Sequence, residues 1–276
     1  MDQKLLDQAR STAKIVGRRV QLQIPSVLAE GEEFALRISV TGPDAMPADD
    51  FDRVLTFEGS VGIDGLPRHF RLDQGASTGC IPGLRATGAT AAVVWARFEP
   101  PAGFTGPDLI GSNPAWIFKD PPWRVFWGDL HVHTAFSNCS GWRCLDPEWC
   151  YQYAREISLL DFAAAADHLR GIAAAADRWP RLQQMAHKYN LPSDFVALLG
   201  FESSHAYGFG GDNNVYFLDD DAPYFWVERE GMRGGTAPRV HLRELWQQMD
   251  RTGKAYFTVP HHTGRAQKYR AWNEDY

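Results

Sequence analysis

The strongest constraint on the fold is an alternation of strand-like and helix-like segments after Pro121 and Pro122. The strand-like segments are WRVFWGDLHVH, LLDFAAAADH, DFVALLGFESSHAYG, NNVYFLDD and KAYFTVPHH. The helix-like ones are DPEWCYQYAREIS, the stretch from about Ile172 to Tyr189, and HLRELWQQMDRTG, whose apolar residues recur at helical spacing. This alternation predicts a parallel sheet or barrel over residues 123–276, with ligands at the carboxyl ends of its strands.

The part of the chain before Pro121 has a different sequence pattern. Short alternating segments such as RRVQLQI and EFALRISV are separated by turn-forming clusters such as TGPDAMPADD. This pattern is typical of an antiparallel sandwich, so residues 19–122 are predicted to form a small β-sandwich domain. Residues 1–18 carry a loosely helical apolar spacing and are predicted to form a short amphipathic helix. The fold class is therefore predicted to be α/β, with these three parts in sequence.

Charge and hydropathy exclude several classes of partner. The formal charge is −6, from 28 basic and 34 acidic side chains without a basic run, so nucleic acid is not expected as the primary partner. The first twenty residues lack the apolar core of a secretory signal, and no stretch approaches the length of an apolar membrane span. We expect a cytoplasmic protein whose four cysteines are reduced thiols.

Histidines and carboxylates collect at the ends of the predicted strands. The first strand ends in Asp129, His131 and His133, the second in Asp167 and His168, the third in Glu202 and His205, and the fifth in His261 and His262. Side chains two residues apart share one face of a strand, so the first pair of histidines can hold one ion or two adjacent ions. A lone histidine is more often a hydrogen-bonded structural residue, which is our reading of His69, His187 and His241.

The mixture of donors indicates the metal chemistry. Neutral imidazole and carboxylate together suit zinc, manganese or iron, and a carboxylate such as Glu202 can bridge two ions. Two such cations lower the pKa of a bound water and make hydroxide available as a nucleophile. Hydrolysis is the natural use of such a site.

Four motifs in order carry a family resemblance. GDLHVHT, LDFAAAADH, GFESSH and VPHHTG resemble motifs of the polymerase and histidinol phosphatase (PHP) superfamily, within a branch of larger proteins that open with W-G-D-L-H-x-H-T. The resemblance covers about residues 123–276. It implies a distorted barrel of seven β/α units that holds two or three divalent metal ions, commonly zinc, manganese or iron, and often hydrolyses phosphoesters.

The resemblance also implies roles for individual residues. The metal ligands would be His131 and His133 on the first ion, His168 on its neighbour, Glu202 as the bridge, and His261 as the later histidine. Asp129 and Asp167 resemble acidic residues that flank the motifs and orient ligating histidines.

The remaining candidates are catalytic. His262 is predicted to face the substrate, and Asp167 is a second catalytic candidate. Arg143, Arg170 and Arg265 follow the motifs on loops and could clamp a substrate phosphate, although solvent exposure is the commoner role of such arginines; we select Arg265.

The sequence departs from the family pattern in two places. The branch often carries a histidine before NVYF, where this chain has Asp212, Asn213 and Asn214, and His205 is the candidate replacement ligand. The final Asp-x-His motif is absent after His262, and about five of seven strands are recognisable. We therefore expect a barrel that lacks its last strands, whose open apolar edge favours association into a homo-oligomer.

The first hypothesis is a metal-dependent hydrolase that cleaves a small phosphorylated substrate with metal-bridging hydroxide. One alternative is a metal-binding module with little or no catalysis, because its ligand set is incomplete. Another is a hydrolase of carbon esters, lactones or amides. Two or more bound metals with an open coordination position would favour catalysis, whereas one closed tetrahedral site would favour a structural role.

Overall fold

The computed structural model describes residues 19–100, 107–137, 146–204, 211–225 and 242–261. The helix predicted for residues 1–18 lies outside these ranges. The described residues form a mixed α/β structure with mostly strands, in several sheets, and group into two compact units. The first unit contains the described residues up to Trp127 together with Tyr153–Leu160. The second contains those of Gly128–Gln152 and those from Asp161 onward.

Short strands build the first unit. They are β1 (Arg19–Gln23), β2 (Val27–Ala29), β3 (Glu33–Thr41), β4 (Val54–Glu58), β5 (Ile63–Asp64), β6 (His69–Arg71), β7 (Thr78–Ala86), β8 (Ala91–Ala92), β9 (Trp95–Arg97), β10 (Leu109–Gly111) and β11 (Ala115–Phe118). They form three sheets, in the orders β1-β3-β7-β5, β10-β9-β4-β6 and β2-β11-β8. Among these described strands the pairing is antiparallel, except that β2 and β11 pair in parallel.

Alternating side chains give this unit its core. In β3, Phe34, Leu36 and Ile38 are buried while Glu33 is exposed, as the period of two in a half-buried strand requires. All three sheets contribute apolar side chains to one cluster. Each fully buried aliphatic side chain of this kind stabilises the fold by about 1.5–3 kcal/mol.

A segment distant in sequence completes the first unit. The Ser39 hydroxyl is buried and donates to the carbonyl oxygen of Ile157 at 2.7 Å. The Arg37 guanidinium donates to the carbonyl oxygens of Leu159 and Leu160 at 2.8 and 3.3 Å. These bonds occupy backbone acceptors at the end of a π-helical stretch, Tyr153–Ile157, and attach the segment to β3.

One five-stranded sheet forms the second unit. Its strands are β12 (Gly128–Val132), β13 (Phe162–Ala165), β14 (Val196–Ser204), β15 (Asp212–Phe217) and β16 (Tyr256–Pro260), in that order across the sheet. β12, β13 and β14 are mutually parallel, but β15 is antiparallel to both β14 and β16. The sequence predicted parallel pairing throughout, and β15 departs from that prediction. The described strands do not close into a barrel, and β12 and β16 are the outer strands.

Four described helices accompany this sheet: α1 (Pro147–Gln152), α2 (Leu169–Ile172), α3 (Arg178–Tyr189) and α4 (Leu242–Asp250). At the start of α1 a carboxylate oxygen of Asp146 accepts the N–H of Glu148 at 2.8 Å, and Pro147 is the first helical residue. The helix predicted from about Ile172 to Tyr189 begins only at Arg178, as α3, and the separate short helix α2 ends at Ile172. Pro180 explains the break, because it has no N–H to donate and is tolerated in the first turn of α3 but not in a helix interior.

The reversed strand determines which residues share an edge with the histidines. β14 ends in Ser204, β16 ends in Pro260, and β15 starts at Asp212 beside both. We call this the site edge: the carboxyl ends of β12, β13, β14 and β16 and the amino end of β15. The first residues of β15 therefore lie at the site edge, and its last residues lie at the opposite edge of the sheet. Among the described residues no helix has the length and apolar character needed to cross a bilayer.

Candidate metal centre

The first strand places two imidazoles side by side at the site edge. His131 lies on β12, and His133 directly follows that strand. Their ring centroids are 4.7 Å apart. A carboxylate oxygen of Asp129 accepts the backbone N–H of His131 at 2.8 Å, and the register with β13 is irregular between Asp129 and Val132. This irregularity turns the end of the strand, as β-bulges do beside functional sites.

Glu202 is the centre of the cluster. It lies on β14 with 1% of its side chain exposed. Its Oε2 atom is 2.9 Å from Nε2 of His133 and 3.0 Å from Nδ1 of His168. The Nε2 atom of His131 is 3.8 Å from Oε2, and that of His261 is 4.0 Å from Oε1. Four imidazoles from three other elements thus surround one buried carboxylate.

These five side chains form two potential metal sites that share Glu202. One contains His131 and His261, and the other contains His133 and His168. Within each group the potential ligand atoms all lie within 4.8 Å of one another. Bonds of about 2.0–2.2 Å to a tetrahedral ion place donors roughly 3.4 Å apart, so only a small contraction is needed. We refer to these as the His131 site and the His133 site.

Burial and hydrogen bonding act in opposite directions on the carboxylate. Burial alone would raise the pKa of Glu202, but its hydrogen bonds with His133 and His168 outweigh burial and hold that pKa well below its usual range. The bond to Glu202 also raises the pKa of His168, against the effect of its own burial. Glu202 is therefore an anion, the form that binds a cation.

The second oxygen of Glu202 indicates whether a metal ion fits the site. Oε1 of Glu202 is buried and accepts no hydrogen bond from the residues that the structure describes. A buried acceptor without a partner lowers the free energy of unfolding by about 1–3 kcal/mol. Nε2 of His261 is 4.0 Å from Oε1, which is too far for a hydrogen bond but suits a shared ion. Imidazole nitrogen and carboxylate oxygen are the donors that divalent zinc, manganese or iron prefer.

Asp167 is fully buried beside the cluster and holds its supporting loop. One carboxylate oxygen accepts the backbone N–H of Thr134 at 2.7 Å and the hydroxyl of Ser137 at 2.6 Å. The other accepts the hydroxyl of Thr134 at 2.7 Å. The Ser137 hydroxyl in turn accepts the backbone N–H of His168 at 3.0 Å. Asp167 thus fixes the residues that follow His133 and precede α2.

A glycine allows this loop to approach α2 closely. A Cβ atom at Gly171 would lie 1.9 Å from the carbonyl oxygen of Phe136. Arg178 donates to the carbonyl oxygens of both residues, and its guanidinium lies 5.3 Å from the centre of the Phe136 ring. The chain after His133 is therefore held from two sides, by Asp167 and by Arg178.

The structure brings together five of the predicted ligands. Most of the other candidates lie outside the described residues. The five are His131, His133, His168, Glu202 and His261. His205, His262 and Arg265 lie outside the described residues, as does Arg143. Arg170 is exposed on α2.

Sequence reasoning named the Asp212–Asn214 segment only as weaker oxygen donors. The structure places it at the site edge, with Asn214 directly opposite Glu202 and buried. The sequence did contain a signal for this placement. Only seven residues, 205–211, connect β14 to β15, which is too few for the crossover between parallel strands and therefore predicts an antiparallel β15. The partners of Asp167 were also missed, since Thr134 and Ser137 lie in a loop without a regular pattern.

Comparisons with known proteins were made for the whole chain. No family model matches it, and no curated protein matches it at a significant level. Any function is therefore to be argued from the geometry of the site and from the sequence motifs.

Proposed function

We propose that this chain is a metal-dependent hydrolase of the PHP type, and that it acts as a phosphoesterase. The observation that carries the proposal is the position of Glu202 between two pairs of histidines, with Oε2 nearest to His133 and His168 and Oε1 facing His261. A carboxylate in this position is suited to bridge two divalent ions.

The charge of the site favours an anionic substrate. Bound divalent cations would supply Lewis acidity and lower the pKa of water at the site. Among the five ligands only Glu202 is charged when the imidazoles are neutral. The carboxylates of Asp167 and Asp212 are also buried and close enough to act on His168. Two divalent cations carry more positive charge than these three carboxylates offset, so the charge that remains attracts the oxygens of a phosphate ester more strongly than a neutral ester or amide.

The surrounding residues would hold the ligands in place. The N–H groups of His133 and His168 point to Glu202 and must lose their protons before those nitrogens bind a cation. Asp167, through Thr134 and Ser137, fixes the loop between the histidines of β12 and His168. On sequence grounds His262 and Arg265 are proposed as substrate contacts.

We also propose that the five-stranded sheet belongs to a PHP-type β/α barrel. Three parallel strands, β12–β14, carry the ligands at their carboxyl ends, as parallel β/α folds require. β16 is parallel to β14 across the reversed β15 and supplies His261 immediately after its last residue. These features agree with a distorted barrel that includes an antiparallel strand.

Metal content and phosphatase activity test the proposal together. The purified chain is stripped with a chelator, reloaded separately with zinc, manganese or iron, and assayed on a phosphomonoester and a phosphodiester. We expect two metal ions per chain and hydrolysis of at least one ester. His133→Ala and Glu202→Gln should lose metal and turnover. The matched control is His187→Ala, because that imidazole is 80% exposed and pairs with Asp220 on the surface.

The outcomes separate the alternatives. Unchanged turnover in metal-loaded His133→Ala would refute the proposed chemistry. Two bound metals without turnover of either ester would point to a binding module or to a hydrolase of other substrates. A chain that binds no metal in any of the three reloadings would overturn the metal centre itself.

A further inference from the structure

The reversed strand β15 introduces a side chain that the five-ligand site does not use. Asn214 is 3% exposed and pairs directly with Glu202 across β14 and β15. Directly opposed side chains on an antiparallel pair share one face, with Cβ atoms about 4.5–5.5 Å apart. The amide of Asn214 therefore lies on the same face of the sheet as the bridging carboxylate.

A hydrogen bond fixes which end of this amide remains available. The side chain of Asn214 is hydrogen-bonded to the Tyr216 hydroxyl. That hydroxyl has one proton and uses it in another bond, so it accepts this one, which assigns the Nδ2 group of Asn214 as the donor. The Tyr216 hydroxyl can accept it because its own proton is donated to the carbonyl oxygen of Leu130 at 2.6 Å.

The oxygen of the same amide has no such partner. Oδ1 of Asn214 is buried and accepts no hydrogen bond from the described part of the chain. Oε1 of Glu202, on the facing residue, is in the same situation. Two acceptors cannot satisfy each other, so both require a donor or a cation between them. An amide oxygen and a carboxylate oxygen are ordinary ligands of divalent metal ions.

We propose that Asn214 is a metal ligand, and that its Oδ1 joins Glu202, His131 and His261 at the His131 site. This inference rests on the proposed metal centre. His261 lies on the other side of the same strand, since its backbone N–H donates to the carbonyl oxygen of Asp212 at 2.9 Å. β15 is thus flanked by Glu202 on β14 and by His261 at the end of β16.

The assignment makes the two sites unequal. The His131 site has four protein donors among the described residues, two nitrogens and two oxygens, and the His133 site has three. Protein sites with three ligands leave a position for substrate, whereas four tetrahedral ligands close a site. The His133 site is therefore the side at which a substrate oxygen enters, and the His131 site holds its ion more firmly.

Metal affinity, measured by competition with a chromophoric chelator, tests the assignment without reference to activity. Asn214→Leu keeps the size of the side chain and removes its oxygen. We expect one of two bound ions to be weakened roughly 10- to 100-fold, the range for loss of a metal-supporting group. Asn214→Asp should bind that ion more tightly than the wild type, because it places an anionic oxygen at the same position.

Double variants identify the affected site. Asn214→Leu should add little to the loss caused by His261→Ala, but combined with His168→Ala it should weaken both ions. The matched control is Asn190→Leu. Oδ1 of Asn190 is also buried without a hydrogen bond from the described residues, but it follows α3 and precedes β14, at the edge opposite the site.

Two results would overturn the inference, and they are distinguishable. If wild type and Asn214→Leu bind both ions equally well, Asn214 only supports Tyr216; the variant would then lower the stability of the metal-free chain and nothing else. If the wild type itself binds no metal, the proposed function fails and this inference fails with it. Two bound ions without hydrolysis would leave the assignment of Asn214 intact.

Discussion

Replacing Asp167 by asparagine would show whether this residue is structural or catalytic. The carboxylate is fully buried and accepts three hydrogen bonds of 2.6–2.7 Å from Thr134 and Ser137. Hydrogen bonds to a charged group contribute about 1.5–3 kcal/mol each. Asparagine keeps the shape but presents an NH₂ group to at least one of these donors, so one bond is lost and the others lose their charge assistance.

The expected free energy change follows from this count. Asp167→Asn should lower the free energy of unfolding by about 2–4 kcal/mol, and Asp167→Ala by about 4–6 kcal/mol, since alanine leaves all three donors without an acceptor. Ser137→Ala should cost about 1–3 kcal/mol because it also removes the acceptor of the His168 N–H. These losses are large beside a typical total stability of about 5–15 kcal/mol.

Urea denaturation of the metal-free protein measures these differences. The matched control is Asp177→Asn, because that carboxylate is exposed in the same unit and makes no capping hydrogen bond to α3. It should change stability by no more than about 0.5 kcal/mol. If Asp167→Asn were equally harmless, yet abolished turnover, the structural reading would be wrong and a direct catalytic role would be favoured.

Three further perturbations test other parts of the structure. Gly171→Ala should destabilise the fold by more than 1 kcal/mol in the same denaturation assay, as its Cβ would lie 1.9 Å from a backbone oxygen of Phe136; an unchanged midpoint would contradict this contact. Arg37→Ala should lower the free energy of unfolding by about 1–3 kcal/mol, since it leaves two carbonyl oxygens without their donor, whereas Arg68→Ala, at an exposed side chain of the same unit, should not. Metal at 100 times its Kd should raise stability by about 2.7 kcal/mol, and calorimetry of Glu202→Gln should show no such gain.

The clustering of the five candidate ligands could be predicted from the sequence because their positions depend largely on local rules. Alternating apolar residues identify a strand, and the carboxyl ends of parallel strands meet at one edge. These two rules place His131, His133, His168 and Glu202 at one edge, and the family resemblance selects them as ligands among the polar residues there. His261 follows as well, although for a different reason, because β16 regains the parallel direction only after β15 has reversed it.

The direction of β15 was harder to predict. The segment NNVYF reads as a strand in either direction, because the period of alternating side chains is the same both ways. Only the length of the connection distinguishes the two cases, and residues 205–211 are too few for a parallel crossover. The direction of β15 matters for the proposed ligand Asn214, which faces Glu202 through the antiparallel pairing of β14 and β15.

The role of Asp167 could not be predicted from sequence patterns. A carboxylate next to a ligating histidine is equally compatible with orienting an imidazole and with capping a loop. The choice depends on whether Thr134 and Ser137, which precede Asp167 by 33 and 30 residues, fold back onto the end of β13. That contact is a product of tertiary packing and of the space provided by Gly171.

The unequal use of the two oxygens of Glu202 predicts an order of metal binding. Oε2 accepts N–H groups from His133 and His168, and each of these nitrogens must give up its proton before the His133 site can bind an ion, to the other ring nitrogen if the imidazole is neutral and to solvent if it is charged. The hydrogen bond with Glu202 raises the pKa of His168, so this proton is retained to a higher pH than on an ordinary histidine. Oε1 accepts no hydrogen bond from the described residues. An ion that binds to Oε1 at the His131 site therefore breaks no hydrogen bond of that oxygen.

The first ion should therefore bind at the His131 site, and the second at the His133 site with the larger release of protons, because His168 keeps its positive charge to a higher pH than an ordinary histidine. Lowering the pH should weaken the second step more than the first, because protonated His168 competes with the cation. Calorimetric titration in two buffers of different ionisation enthalpy counts the protons released at each step. Equal proton release in both steps, or a pH dependence confined to the first, would mean that the hydrogen bonds to Oε2 do not set the order of binding.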